Sequence, residues 1–175
     1  MLKFAAITPH PPIIIPTIGS PPDLVKVSKT IKAMEKLAGI FAKTTPETVI
    51  VISPHGPVDF NCFTINQSPT LAGHFYNFGD FQTEILFKND LELINLIEKE
   101  CEVAKIPLRK VKIKELDHGT LVPLYYLSKY YPNFKVVPLA YSFLDLETHF
   151  QLGKILRKIA EQSKNKRIAI AASVT

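Results

Sequence analysis

The stretch "LKFAAITPHPPIIIP", residues 2–16, begins as an apolar, strand-like run and ends among prolines with a histidine between them. Proline fixes φ and removes a backbone donor, and it pushes the residue before it to extended conformations. His10 is therefore held on a stiff, non-helical segment at the end of a strand. After it, "PPDLVKVSKTIKAMEKLAGIFAKT" (21–44) opens with prolines and Asp23. Its apolar residues Leu24, Val27, Ile31, Met34, Leu37, Ala38 and Phe41 recur at helical spacing. "TVIVIS" (48–53) then reads as a second buried strand. A strand–helix–strand order predicts a right-handed crossover with the two strands paired in parallel.

The alternation continues to the end of the chain. "FNCFTIN" (60–66) reads as a strand and "SPTLAGHFYNFGDF" (68–81) as a loop. "NDLELINLIEKECEVA" (89–104) reads as a helix with Asn89 or Asp90 near its N-cap. "PLRKVKIKEL" (107–116) alternates like an amphipathic strand. "GTLVPLYYLSKYY" (119–131) is an apolar helix starting at Gly119 or Thr120, because Pro123 is tolerated only in a first turn. A strand, "FKVVPLAYS", a helix, "LETHFQLGKILRKIAEQS", and a final strand, "RIAIAAS", complete the chain. The expected fold is a single α/β domain spanning residues 1–175, three-layer α/β/α around a mostly parallel or mixed central sheet.

Composition narrows the function classes. The 21 Lys and Arg against 16 Asp and Glu give a net charge of +5, with much of the excess in Lys105, Arg109, Lys110, Lys112 and Lys114. No nucleic-acid motif accompanies these cations, and strand alternation places them on a solvated face, so no nucleic-acid partner is expected. Cys62 and Cys101 form neither a CxxC pair nor a disulfide framework, which points to a reducing cytoplasm. Cys62 is expected to be buried and inert within its strand. No apolar run approaches ~20 residues and no membrane partner is expected. GxGxxG, GxxxxGK[ST] and GxSxG are all missing.

Chemistry is concentrated in the histidines. His10 in "ITPHPP" and His55 in "ISPHGP" follow apolar strands in near-matching phrases. In open α/β sheets ligands collect beyond the carboxyl ends of strands. Neighbouring strands would bring these two imidazoles, good ligands for Fe, Zn, Cu and Ni, to one rim. A histidine beside proline otherwise only caps a turn; the repetition is what singles out this pair. His118 lies in "LDHGT" at a helix entrance, placed either to polarise a bound oxygen or to orient the helix. His74, in "AGHFYNFG", belongs to an aromatic lid-like loop, and His149 to the surface or an interface.

Taken in order, "TPHPP", "SPHGP", the "FG" at 78–79 and "LDHGTLVPLYYL" resemble the class III extradiol ring-cleavage dioxygenases of the LigB type, in their Memo-like branch. The resemblance covers essentially the whole chain. It implies His10 and His55 as ligands of a non-haem Fe(II), with Zn(II) as the alternative metal, and His118 as the catalytic and substrate-binding residue lining the pocket for diol and oxygen. It implies a small aromatic diol and O2 as substrates; apart from the resemblance, a homodimer is the one protein partner expected. The resemblance also implies a metal-binding glutamate and an acid/base histidine in a Ser-His phrase. The chain ends at "AIAASVT", where that phrase is expected, so it reads as the N-terminal part of a longer domain and inactive alone. Asp59, Glu115 and Asp117 are the available substitutes for the carboxylate. The Memo-like branch carries an alternative, a non-catalytic metal-binding or partner-interaction module.

Overall fold

A computed structural model describes residues 1–163 and 165–174. Strands β1 (Leu2–Pro9), β2 (Thr48–Ser53), β3 (Phe63–Asn66), β6 (Leu108–Val111), β7 (Lys135–Ala140) and β8 (Ile168–Val174) form one sheet in the order β1-β8-β2-β7-β3-β6. β1, β8, β2 and β7 are mutually parallel, β3 runs antiparallel to β7, and β6 is parallel to β3. The sheet is mixed and mostly parallel. Helices α1 (Pro21–Thr44) and α3 (His118–Tyr130) cover one face. Met34, Phe41, Leu121 and Leu124 pack there on Val49, Val51 and Ala171. Helices α2 (Leu91–Val103) and α4 (Leu146–Gln162) cover the other face, where Ile94, Ile97, Leu152 and Leu156 meet Ile50, Val137 and Ile168. The successive side chains of β2 thus feed two separate cores, which is why its sequence is apolar throughout.

Three expectations need correction. β1 and β2 are not neighbours: β8 lies between them and bonds to both. The first crossover leaves a gap that the last strand fills. The stretch expected to be a loop at 68–81 instead contains β4 (Thr70–Phe75), which pairs antiparallel with β5 (Asp80–Lys88) through a 3-10 turn at Tyr76–Phe78. Gly79, at φ 85°, makes the left-handed exit from that turn. Leu71, Phe75 and Phe87 anchor the hairpin in the first core, and Gly73 lets β4 approach Leu121 where a Cβ would overlap it. Aromatic and glycine content hid the alternation of this hairpin. The strand expected over 60–66 spans only Phe63–Asn66, and Cys62 lies outside it, half-buried rather than buried.

Helix starts follow side-chain caps. Asp90 accepts from the Leu93 amide and Asp145 from the Thr148 amide. α3 starts one residue before the expected Gly119, at His118, because Asp117 caps it by accepting from the Thr120 amide at 2.9 Å. Pro123 is the sixth residue of α3 and so lies inside the helix, past the first turn in which it is expected, leaving the Gly119 carbonyl without its usual helical donor; the helix around it is almost wholly buried. Among the described residues no helix is long and apolar enough to cross a membrane.

Candidate metal centre

His10 is the first residue past β1, and His55 is two past β2. Strands separated by one intervening strand stand roughly 10 Å apart, so the two imidazoles meet by leaning over the end of β8. Their Nε2 atoms lie 3.0 Å apart. His10 is 1% exposed, and its Nδ1 is 2.8 Å from Oγ of Ser173, which β8 itself supplies. His118 enters from the N-terminus of α3, its ring 4.1 Å from that of His55 and 5.7 Å from that of His10. One ligand atom from each of the three lies within 4.8 Å of the others.

A network of short hydrogen bonds fixes this arrangement. Ser53 Oγ donates to Asp117 Oδ1 at 2.5 Å and accepts the His55 amide at 3.1 Å. Asp117 Oδ2 accepts from Thr120 Oγ1 at 2.8 Å. One carboxylate therefore caps α3 and ties it to the loop carrying His55. Gly119 sits where a Cβ would collide with Ser53 Oγ and stand 3.2 Å from His55 Cδ2. The close approach of α3 to the histidine loop needs glycine there, whatever the backbone angle.

The donor set fits a divalent metal. Burial pushes the pKa of His10 down, and the neighbouring His55 and His118 push it further, against a smaller opposing pull from Asp117. His118 is lowered for the same reasons, burial first and His55 second. Neutral imidazole is the form whose lone pair binds metal. Two nitrogens at right angles on an ion with bonds of ~2.1 Å lie ~3.0 Å apart, the separation seen between His10 and His55. The bond from Ser173 to His10 Nδ1 is of the kind that orients an imidazole whose other nitrogen binds a metal.

The three candidate carboxylates lie elsewhere. Asp117 is committed to its cap, and Asp59 accepts from Arg109 at 2.6 Å and from the Asn61 amide at 2.9 Å. Glu115 stands on the wall of a neighbouring cavity, with Oε2 3.8 Å from Nε2 of His74. None joins the histidine group among the described residues. The third clustered donor is His118, which the sequence reading places in a substrate pocket rather than among the candidate ligands. His74 is on β4, stacked on Tyr76 at 4.2 Å. His149 is half-buried, packed edge-on against Phe63 at 4.8 Å. Sequence reasoning misses Ser173 and Ser53, since each reads only as the end of a strand. Phe78, at the hairpin turn, meets the His118 ring edge-on with centroids 5.3 Å apart.

The cavity, about 390 Å³, opens beside His55. It lies where β7 and β3 part: they pair only at Thr64–Ala140 and Ile65–Leu139, and Pro138, with no N–H to give a ladder, precedes that contact. Thr64, Asn66 and Thr120 offer polar atoms to it, and Ile113, Leu116 and Leu139 offer apolar surface. Its volume suits a single aromatic ring with substituents.

Residues 4–173 match the family model of the catalytic LigB subunit of aromatic ring-opening dioxygenase. Protein CA_C1420 of Clostridium acetobutylicum is 29% identical over 173 residues, covering 94% of this chain and 37% of that protein. The crystal structure of the uncharacterized protein JW3007 from Escherichia coli K12 shares the fold, with a TM-score of 0.54 at 20% identity over 81% of this chain and 51% of that one. The chain thus spans little more than a third of its curated relative's length and about half of that crystallised chain. The strand-end histidines, the mixed sheet and the match over nearly every residue lead to one conclusion: the chain belongs to the LigB family of aromatic ring-opening dioxygenase catalytic subunits.

Proposed function

We propose that this chain carries the metal centre of a non-haem Fe(II)-dependent extradiol dioxygenase, opening a catechol-type ring with O2 in the full-length protein. The observation that carries the reading is the convergence of His10, His55 and His118 beside a cavity of ring size. His10 and His55 are the metal ligands, and Ser173 holds the His10 ring in its ligating orientation. His118, at the rim and below Phe78, is the group that hydrogen-bonds to the reacting oxygens. Its lowered pKa keeps it neutral near pH 7, able to accept a proton at one ring nitrogen. Pro57, Ile113 and Leu139 supply the apolar wall against which a ring packs. When bound, the metal lowers the pKa of a diol hydroxyl and brings diol and O2 side by side.

The test is an aerobic assay of the full-length protein, loaded with Fe(II), on a catechol panel. A new ring-cleavage absorbance is expected. His10→Ala should lower metal affinity by at least ~100-fold, since loss of an outer partner alone costs ten- to a hundredfold, and should abolish the signal. Turnover that survives the substitution rules out the ligand assignment. A second reading is a non-catalytic metal-binding module, favoured by a donor cluster that contains three imidazoles and no carboxylate among the described residues. Zn(II) or Fe(II) retained stoichiometrically without turnover of any diphenol would select it.

A further inference from the structure

The cavity wall carries charge of one sign. Of the ionisable side chains that face it, Glu115 and Asp117 are carboxylates and His55 is an imidazole; among the described residues no lysine or arginine lines it. Asp117 is fully engaged by Ser53 and Thr120. The Glu115 side chain is 71% exposed, and its neighbour His74 stands at 3.8 Å, beyond hydrogen-bonding reach. It is held at the wall by its backbone, since the residues flanking it bond to Ala72: Lys114 O accepts from the Ala72 amide and Leu116 N–H donates to the Ala72 carbonyl, both at 2.8 Å. Lys112 and Lys114, on the same segment, are exposed and do not reach the lining.

We infer that this pocket selects aromatic diols whose ring substituent carries a positive charge, a protonated amine above all, with Glu115 as the specificity-determining residue. Among the described residues an anionic substituent would meet Glu115 and Asp117 with no lysine or arginine of the lining to offset them, while an ammonium finds in Glu115 a carboxylate open to a new hydrogen bond. The inference rests on the proposed diol site and adds its substituent class.

The experiment measures binding of three 4-substituted catechols to full-length protein loaded anaerobically with Fe(II), at pH 8, above the ordinary imidazole range. The substituents are aminoethyl, ethyl and carboxymethyl, similar in size and respectively cationic, neutral and anionic. The cation is expected to bind about fivefold tighter than the anion, in scale with a partly exposed charge pair, and the ratio should shrink toward one at high salt. Glu115→Gln should bring the ratio close to one, and Glu115→Lys should invert it. The exposed position of Glu115 makes both variants compatible with folding. Equal binding of all three, or a ratio unchanged in Glu115→Gln, overturns the charge selection alone. No binding of any catechol overturns the diol site and this inference together.

Discussion

At the N-terminal end of β2, Asp90 is fully buried, and every partner it needs is supplied by the protein. Thr48 Oγ1 lies at 2.5 Å, the Leu93 amide at 3.2 Å and the Lys166 ammonium at 2.8 Å. At the C-terminal end of the same strand, three imidazoles crowd within reach of one another, with no carboxylate in the group among the described residues. Both ends gather titratable groups from distant parts of the chain. At the base, opposite charges and a helix cap close the group, and the outcome is stability. At the rim, like groups face each other, and a cation from outside is what would satisfy them. A cluster of like groups that the described residues leave without a paired carboxylate is a stronger candidate for binding than one that is fully paired.

The sharpest way to break this comparison is to cut one member from each end. Asp90→Ala removes a buried carboxylate from an ion pair and a cap, and should cost about 3–5 kcal/mol, read as a fall in the urea midpoint. His118→Ala, taken from a cluster that does not stabilise the fold, should cost less than about 1 kcal/mol. Equal losses would erase the distinction between the ends. The base also has an acid signature. Burial raises the pKa of Asp90, but the Lys166 ammonium, Thr48 hydroxyl and Leu93 amide together outweigh it and hold it below its ordinary 3.8. The unfolded carboxyl then takes its proton first as pH falls. The stabilisation is present above about pH 4 and is lost as pH drops through the folded value. Acid titration of stability should show this window in the wild type and lose it in Asp90→Asn.

A smaller effect tests how the rim is held in place. Gly119→Ala drives a methyl group into Ser53 Oγ and against the His55 ring. Overpacking of this kind costs about 1–3 kcal/mol, and here it should displace His55 and weaken metal binding as well. Gly153→Ala is the control: it lies in α4 with nothing within 4 Å of the added Cβ, so helix propensity alone should stabilise by up to ~1 kcal/mol. Thermal midpoints and metal titration of the two variants separate a steric role from a propensity effect. Unchanged metal affinity in Gly119→Ala would show that the approach of α3 does not set the histidine geometry.

Much of this is legible in the residues, and each failure has its own physical cause. Apolar runs ending in "TPHPP" and "SPHGP" give strand, stop and histidine together, because proline acts locally. The helices follow from apolar spacing and from Asp caps, which are also local. What the chain does not write locally is who stands beside whom. Nothing in "RIAIAAS" says that it slides between β1 and β2, so Ser173 could not be placed against His10 in advance. The β4–β5 hairpin is hidden for a different reason. Its alternation is interrupted by a 3-10 turn and by glycines whose purpose, close packing on Leu121 and a left-handed turn exit, exists only in three dimensions. His118 stands out as a candidate from "DHG", but its distance from His55 depends on the Ser53–Asp117 bond, which joins residues 64 positions apart.

Ser173→Ala is the gentlest probe of the rim and the one that bears most directly on its purpose. The hydroxyl is buried, 6% exposed for the residue, and 2.8 Å from His10 Nδ1. If His10 binds metal through Nε2, Nδ1 carries the proton and donates it to Ser173 Oγ, which fixes the tautomer and the plane of the ring. Removing the hydroxyl leaves that N–H free to rotate out of line and should weaken metal binding about tenfold, at the low end for an outer partner. Stability should fall by only about 1 kcal/mol, the usual worth of one hydrogen bond. Metal competition with a chelator measures the first, and a urea midpoint on metal-free protein the second. If the serine serves only the fold, the metal-free midpoint falls while the affinity stays put. A tenfold loss of affinity in Ser173→Ala, beside an unaltered affinity in a strand-end variant such as Val174→Ala, would tie the last strand to the metal centre through one hydroxyl.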